Sequence, residues 1–398
     1  MPDIDTMGRW RGCCGRVLLA GLMLCGAAAR AEHHDADFSL RGFGTLGAVR
    51  TTSDELEFVR DLSQARGATT GWDARVDSVL GVQANWRITP QVEAVVQGVS
   101  RYRYDRTFRP EIAWAFVKYD PTPALTLRGG RLGTEFFMLA DSRLVGYSYL
   151  TVRPVGDFFW HLPFSSIDGG DVALTVPLGE AVVRGKLFYG LANTKLPLAD
   201  RQWDIGGSPM AGGHVEYQSD AWQLRASYAN IVFKDDLPLG GLGLSPEGLA
   251  HLAVDGKRSD YYSLAALYER GPWQFQLMLN HIVQHSNAFE SSDGGYVLAG
   301  YRIGALTPYL GYSRVYSRPR DNTLGDPTVA AVMRDSHLDQ RTTIAGVRWD
   351  VMPNVALKAQ WDGIRGDGGS LFPYRNDPAD RRWSGRMDVF SVTLDFIF

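Results

Sequence analysis

The chain has 398 residues, with 41 lysines and arginines against 44 aspartates and glutamates, 12% aromatic residues and 44 glycines. Its formal net charge of −3 excludes the strongly basic surface that nucleic-acid binding normally needs. All three cysteines, Cys13, Cys14 and Cys25, precede residue 32, so the remainder of the chain can hold neither disulfide staples nor thiolate chemistry.

The first element is a leader. Arg9, Arg11 and Arg16 form a positive region, Val17 to Ala29 is apolar, and Ala29-Arg30-Ala31 is a small-residue cleavage pattern. That apolar run is too short to cross a bilayer as a helix, so 1–31 reads as a signal peptide. Asp3 and Asp5 sit oddly ahead of a basic region, which makes Met7 a second candidate start. The domain that follows is expected over 32–398. Its opening Glu32-His33-His34 reads as a solvated tail rather than a metal site.

Strand-like segments then run to the end of the chain, roughly 38–50, 74–87, 91–104, 110–119, 124–132, 167–177, 180–192, 211–218, 221–233, 259–269, 272–285, 295–303, 307–318, 340–350, 354–365 and 387–398. Tight corners join them in pairs: Thr89-Pro90, Asp120-Pro121-Thr122-Pro123, Pro177-Leu178-Gly179, Ser219-Asp220, Arg270-Gly271-Pro272, Ala305-Leu306-Thr307-Pro308 and Met352-Pro353-Asn354. Proline fixes and glycine frees the backbone at such corners. Between them lie long polar connections at 51–73, 133–166, 193–210, 234–258, 319–339 and 366–386.

Within strands, side chains alternate between two faces. Val355, Leu357, Ala359 and Trp361 alternate with Lys358, Gln360 and Asp362. Leu187 and Tyr189 alternate with Arg184 and Lys186. Trp222, Leu224, Ala226 and Tyr228 alternate with Gln223, Arg225 and Ser227. The last strand is the clearest: Phe390, Val392, Leu394, Phe396 and Phe398 share one face, while Ser391, Thr393 and Asp395 share the other.

An even number of such strands, about sixteen, with short turns at one end and long loops at the other, predicts an all-β transmembrane antiparallel barrel. Closure removes the unpaired sheet edges that hydrocarbon cannot satisfy. A soluble β-sandwich or solenoid is the rival, but it has no need of a signal peptide, a terminal phenylalanine or that asymmetry.

The connection 133–166 is too aromatic to be solvated freely. It carries Phe136, Phe137, Met138, Tyr147, Tyr149, Phe158, Phe159 and Trp160, and such density implies packing against something. Its candidate constriction charges are Glu135, Asp141, Arg143, Arg153 and Asp157. Facing basic candidates on the lumen wall are Arg101, Arg103, Arg128, Arg184 and Lys186. Opposed charges in a narrow pore orient polar solutes. Each of these residues could equally anchor the segment by ion pairs. Inward positions lean basic, which hints at anions.

Two patterns resemble chemistry without its context. Gly42-Phe43-Gly44-Thr45-Leu46-Gly47 matches a dinucleotide fingerprint but lies inside a strand with no helix after it, so no cofactor is expected. These glycines suit strand bending or close packing. His281 and His285 lie too far apart along one strand to share a metal, and no metal is expected; they read as lumen or rim residues. No serine has a nucleophile context such as G-x-S-x-G, so no enzyme is expected.

With its signal peptide, first strand from Phe38, strand and turn rhythm, long connection after strand five and terminal Phe398, the chain resembles proteobacterial outer-membrane porins of the sixteen-stranded kind. The resemblance implies that 133–166 folds into the barrel and narrows it. It implies residence in the Gram-negative outer membrane among lipid and lipopolysaccharide, with the Phe390–Phe398 face as the signal read by the barrel assembly machinery. It further implies a homotrimer and passive diffusion of small hydrophilic solutes. The Pro-Glu-Phe-Gly-Gly loop tip of enterobacterial general porins is missing, so their eyelet residues cannot be carried over. A substrate-specific, anion-preferring channel and a non-channel barrel serving as adhesin or structural anchor remain the alternatives.

Overall fold

The computed structural model describes residues 37–160, 162, 164–198, 201–367, 374–375 and 384–398; the predicted signal peptide over 1–31 lies outside them. Among these residues sixteen strands close into one antiparallel barrel. They are β1 (Phe38–Thr51), β2 (Val79–Thr89), β3 (Val92–Arg101), β4 (Glu111–Thr122), β5 (Leu125–Gly133), β6 (Ser166–Leu178), β7 (Ala181–Ala192), β8 (Pro209–Gln218), β9 (Trp222–Val232), β10 (Arg258–Arg270), β11 (Trp273–Gln284), β12 (Ser291–Tyr301), β13 (Leu306–Arg318), β14 (Asp339–Met352), β15 (Val355–Gly366) and β16 (Arg386–Ile397). Each pairs with its sequence neighbour, and β16 returns to β1 with Leu394 opposite Leu46.

Turns of a few residues join the strands at one end. Gly179 and Gly271 take left-handed conformations there, as does Asn354. Long connections occupy the other end. Two of these, 102–110 and 285–290, are short and are not among the long connections expected from the sequence. The second strand starts later than expected, at Val79 rather than residue 74. The stretch before it is drawn out of the ladder, with Asp73 bridging Val49 and Asp77 turned inward. The twelfth starts earlier, at Ser291 rather than residue 295.

The outer face is a continuous apolar belt. Leu187 and Tyr189 are 66% and 62% exposed, while the alternating Lys186 and Phe188 are 3% and 8% exposed. Water does not tolerate so large a contiguous apolar surface, whereas hydrocarbon requires it. Aromatic pairs such as Trp222 with Tyr268 and Trp273 with Tyr301 sit near the short turns. Phe390, Val392 and Phe398 are on this outer face. The ring of Phe398 lies over Gly42 and that of Phe396 over Gly44, where a Cβ would overlap them. The glycines of the first strand therefore let the last strand close the cylinder.

Inside, the polar rule holds only in part. Phe188, Met210, Ala229, Tyr261, Met278, Tyr296, Leu298, Tyr309 and Ile344, on β7 through β14, are all buried within one cluster. This band lies on the inward face, and an aqueous lumen would not stabilise it. Something apolar must cover it.

Candidate functional site

The cover is the connection between β5 and β6. Its two ends are pinned together: the Thr134 amide donates to Ser165 and its hydroxyl to Phe164 O at 3.2 Å. Arg143, buried, donates to the carbonyls of Leu162 and Phe164 and so closes the segment on itself. Phe136 stacks with Phe188 and meets Tyr261 edge-on, and Phe158 meets Tyr296 at 5.5 Å. Phe137 and Phe158 are fully buried. A single helical turn, α1 (Gly156–Phe159), carries the second pair of phenylalanines into this cluster.

Beyond the aromatic core, the segment crosses to the far wall and is held there by charge. Arg153 is 3% exposed; it forms a forked pair with Asp77 at 2.9 and 2.6 Å and reaches Asp362 of β15 at 3.0 Å. It also donates to the Ser391 hydroxyl of β16 and lies over the Phe58 ring. Asp157 accepts from Ser313 of β13 and Gln340 of β14. Lys358 of β15 donates to the carbonyls of Gly146 and Thr151 at 2.7 and 3.0 Å, and pairs with Asp395. Gly146 fits so closely against Thr45 and Asp395 that a Cβ would overlap both.

A second connection, 52–78, joins this arrangement. Arg60 donates to the Arg143 carbonyl at 2.7 Å, and Asp61 meets Arg101 at 3.4 Å with Ser63 bridging them. The Arg60–Arg143 bond joins the two connections directly. Burial alone would raise the Asp61 carboxyl, but Arg101 and Arg143 hold it below its usual range.

The opposite wall is polar. Glu135 accepts from Arg128 at 3.0 Å and from Lys186, with His214 at 3.8 Å. Burial pushes the Glu135 carboxyl up, yet Lys186 and Arg128 outweigh it and hold the group down at about 2. Arg128 also grips Asp171 through both carboxylate oxygens at 3.0 Å. On β7, β8 and β9, Arg184, Glu216 and Arg225 form one cross-strand row and Lys186, His214 and Ser227 the next. Arg225 bonds Glu216 at 2.7 Å. Among the described residues, Arg184 Nε, Arg225 Nη1, His214 Nδ1 and the Ser227 hydroxyl have no hydrogen-bond partner. Buried polar atoms need partners, so water or a solute must supply them here.

Toward the short turns this wall opens on a cavity of about 380–520 Å³ in each of two places. The larger is lined by four cations, Arg41, Lys118, Arg128 and Arg184, against one carboxylate, Glu93.

The structure brings together only part of the expected set. Glu135, Arg128 and Lys186 form one cluster, with Arg184 a strand row away. Asp141 is exposed and bonds only its neighbour's amide. Arg143, Arg153 and Asp157 face carbonyls, carboxylates and hydroxyls in buried positions rather than the basic wall. Arg101 is buried against Asp61 and Ser63. Arg103 lies beyond the end of β3, paired with Glu111, so it is not a wall residue; the strand ends at Arg101 rather than at residue 104. His281 and His285 point outward, bonded to Asp293 and Asp260, not into the lumen. Sequence reasoning missed Arg60, Asp61 and Asp77 of the first long connection. It also missed Gln360 and Asp362, whose inward parity was legible but whose partner was not.

Neither a protein-family model nor a characterised protein matches the sequence. Solved structures match in fold. OmpF of Salmonella typhi, in complex with daunomycin, superposes with a TM-score of 0.56 at 13% identity, covering 91% of this chain and 97% of that one. An anion-selective porin from Comamonas acidovorans gives 0.56 at 12%, covering 91% and 99%. The trimer form of OmpT, an outer membrane protein of Vibrio cholerae, gives 0.53 at 12%, covering 91% and 99%. At such identities the likeness is one of architecture: this chain has the fold of the sixteen-stranded outer-membrane porins.

Proposed function

We propose that this porin-type barrel sits in the outer membrane of a Gram-negative cell and forms a water-filled channel for passive diffusion of small hydrophilic solutes. The observation that carries the reading is the contrast inside the lumen. Segment 134–165 covers the apolar band, and the charged wall of β1–β9 stays lined with polar groups, some without a partner among the described residues. Solute passes along that wall. Glu135 on the segment pairs directly with Arg128 and Lys186 at the wall, Arg184 lies a strand row away and Asp141 is exposed; charges of both signs beside the passage orient dipolar solutes. Arg143, Arg153 and Asp157 hold the segment in place, while Arg101 and Arg103 brace the neighbouring connections. No catalysis is assigned.

A second reading, a preference for anions, is favoured by the cation-rich lining. Ion pairs reduce it: Arg128 is matched by Asp171 and Glu135, and Lys118 by Asp120 at 2.8 Å. Arg41 and Arg184 remain against Glu93, so the preference is mild. The outward Phe390–Phe398 face suits recognition by the barrel assembly machinery, and a homotrimer follows the neighbour solved in that form.

Swelling of liposomes reconstituted with the protein tests the channel. Small sugars and acids should enter at rates that fall with size. Folded protein that admits none of them would favour a plugged structural or adhesive barrel. Reversal potentials across a planar bilayer should show chloride favoured over potassium, and clear cation preference would end the anion reading.

A further inference from the structure

On the outside of the barrel, Arg314 of β13 lies directly opposite Arg341 of β14, Arg341 opposite Arg365 of β15, and Arg365 opposite Arg386 of β16. The four share the parity of a lower row, Leu310, Ala345, Trp361 and Phe390, in which Leu310 and Phe390 are exposed to the membrane side. Each arginine is four residues nearer the long connections than its partner in that row. At about 3.3 Å per residue, the arginines lie about 13 Å farther along the strands than the apolar row, and at about 4.8 Å between strands they span about 14 Å.

Like charges placed directly opposite each other destabilise a sheet. Local compensation is thin: Asp339 lies 3.8 Å from Arg314, and Asp388 lies 3.2 Å from Arg365. Among the described residues, Arg341 and Arg386 have no hydrogen-bonding or ionic partner. The Arg314 guanidinium lies 5.6 Å from the ring of Tyr316, two residues nearer the long connections, and exposed Tyr312 sits between the two rows, as aromatic side chains do at a membrane interface. A row of guanidiniums at that height meets lipid headgroups, and a guanidinium takes a phosphate through two parallel bonds.

We propose that Arg314, Arg341, Arg365 and Arg386 form a seat for a lipid headgroup carrying two phosphates, the phosphorylated glycolipid of lipopolysaccharide in the leaflet on the long-connection side. A single phosphate could engage two neighbouring arginines; a row of four suits two separated phosphates. The inference rests on the outer-membrane reading above but not on conduction.

The test is native mass spectrometry of the purified protein in neutral detergent, titrated separately with bisphosphorylated lipid A, monophosphorylated lipid A and phosphatidylglycerol. The intact protein should prefer the bisphosphorylated lipid by about tenfold or more, and Arg341→Gln with Arg386→Gln should erase that preference, a change of about 1.4 kcal/mol or more. Lysine at both positions should restore part of it, which separates lost charge from a damaged fold. Equal binding of phosphatidylglycerol, or an unchanged preference in the glutamine variant, would overturn the proposal. Single-channel current measured on the same variants should not move, so failure of the channel reading registers independently of failure of the lipid seat.

Discussion

One segment meets two walls of the same lumen in opposite ways. Toward β10–β14 the phenylalanines of 134–165 are buried against Tyr261, Met278, Tyr296 and Ile344, as in the core of a soluble protein. Toward β5–β9 the same segment presents Glu135 to Arg128 and Lys186, beside polar atoms without a partner among the described residues. The alternation of a barrel strand fixes which residues point inward. Whether an inward residue is oily or charged depends on what it meets there, protein or water.

The sharpest way to break the contrast is to cut the charged tether of the segment. Arg153→Met strips the partner from the buried carboxylates Asp77 and Asp362, a loss of about 3–5 kcal/mol for a broken buried pair. The segment should loosen, giving larger and noisier single-channel currents and a lower temperature for the heat-modifiable gel shift. Unchanged current would show that the aromatic core alone fixes it. A smaller effect is expected from Gly146→Ala, whose methyl must displace the Asp395 carboxylate or the Thr45 hydroxyl. Overpacking of that kind costs about 1–3 kcal/mol, read in the same gel shift.

On the other wall, Glu135→Gln removes one carboxylate from between two cations. Anion preference should rise by a factor of about two to three, since charges lining a wet pore act through modest potentials. A reversal potential that stays put would place Glu135 away from the passage. The weakest expected effect is that of pH. The Glu135 carboxyl is held at about 2, below its ordinary 4.5, so its charge and its contribution to anchoring are complete above pH 4.5. They are lost only as pH falls through about 2. The Glu135 contribution to selectivity should therefore stay flat on acidification from neutrality until well below 4.5; a step between pH 5 and 7 would implicate another group.

Much of this fold was legible because period-two alternation and proline-glycine corners are local signals. Sixteen strands, the outward placement of Phe390, Val392 and Phe398, and the inward placement of Lys186, Lys358 and Asp362 all follow from parity. The apolar band inside the lumen was less visible, although β11 hints at it: Leu277-Met278-Leu279 is apolar on both faces, a mark of burial on both sides. The anchors of the long segment were beyond reach. Arg153 and Asp157 find Asp362, Ser391, Ser313 and Gln340 across the barrel, and no spacing in the chain encodes which strand a folded-in segment will touch. The contribution of 52–78 was hidden for the same reason, since Asp61 reads as an ordinary loop carboxylate and Asp77 falls in a segment that reads as strand.

The central claim is that solute travels along the β1–β9 wall and not through the Arg153 network. Beyond residue 31 the chain has no cysteine, so a single introduced thiol reports its own position. Single-channel current should be measured for Arg184→Cys and for Ser313→Cys, before and after a bulky water-soluble thiol reagent. Current should fall sharply at Arg184→Cys and stay constant at Ser313→Cys. The reverse pattern would put the passage on the other wall and contradict the account.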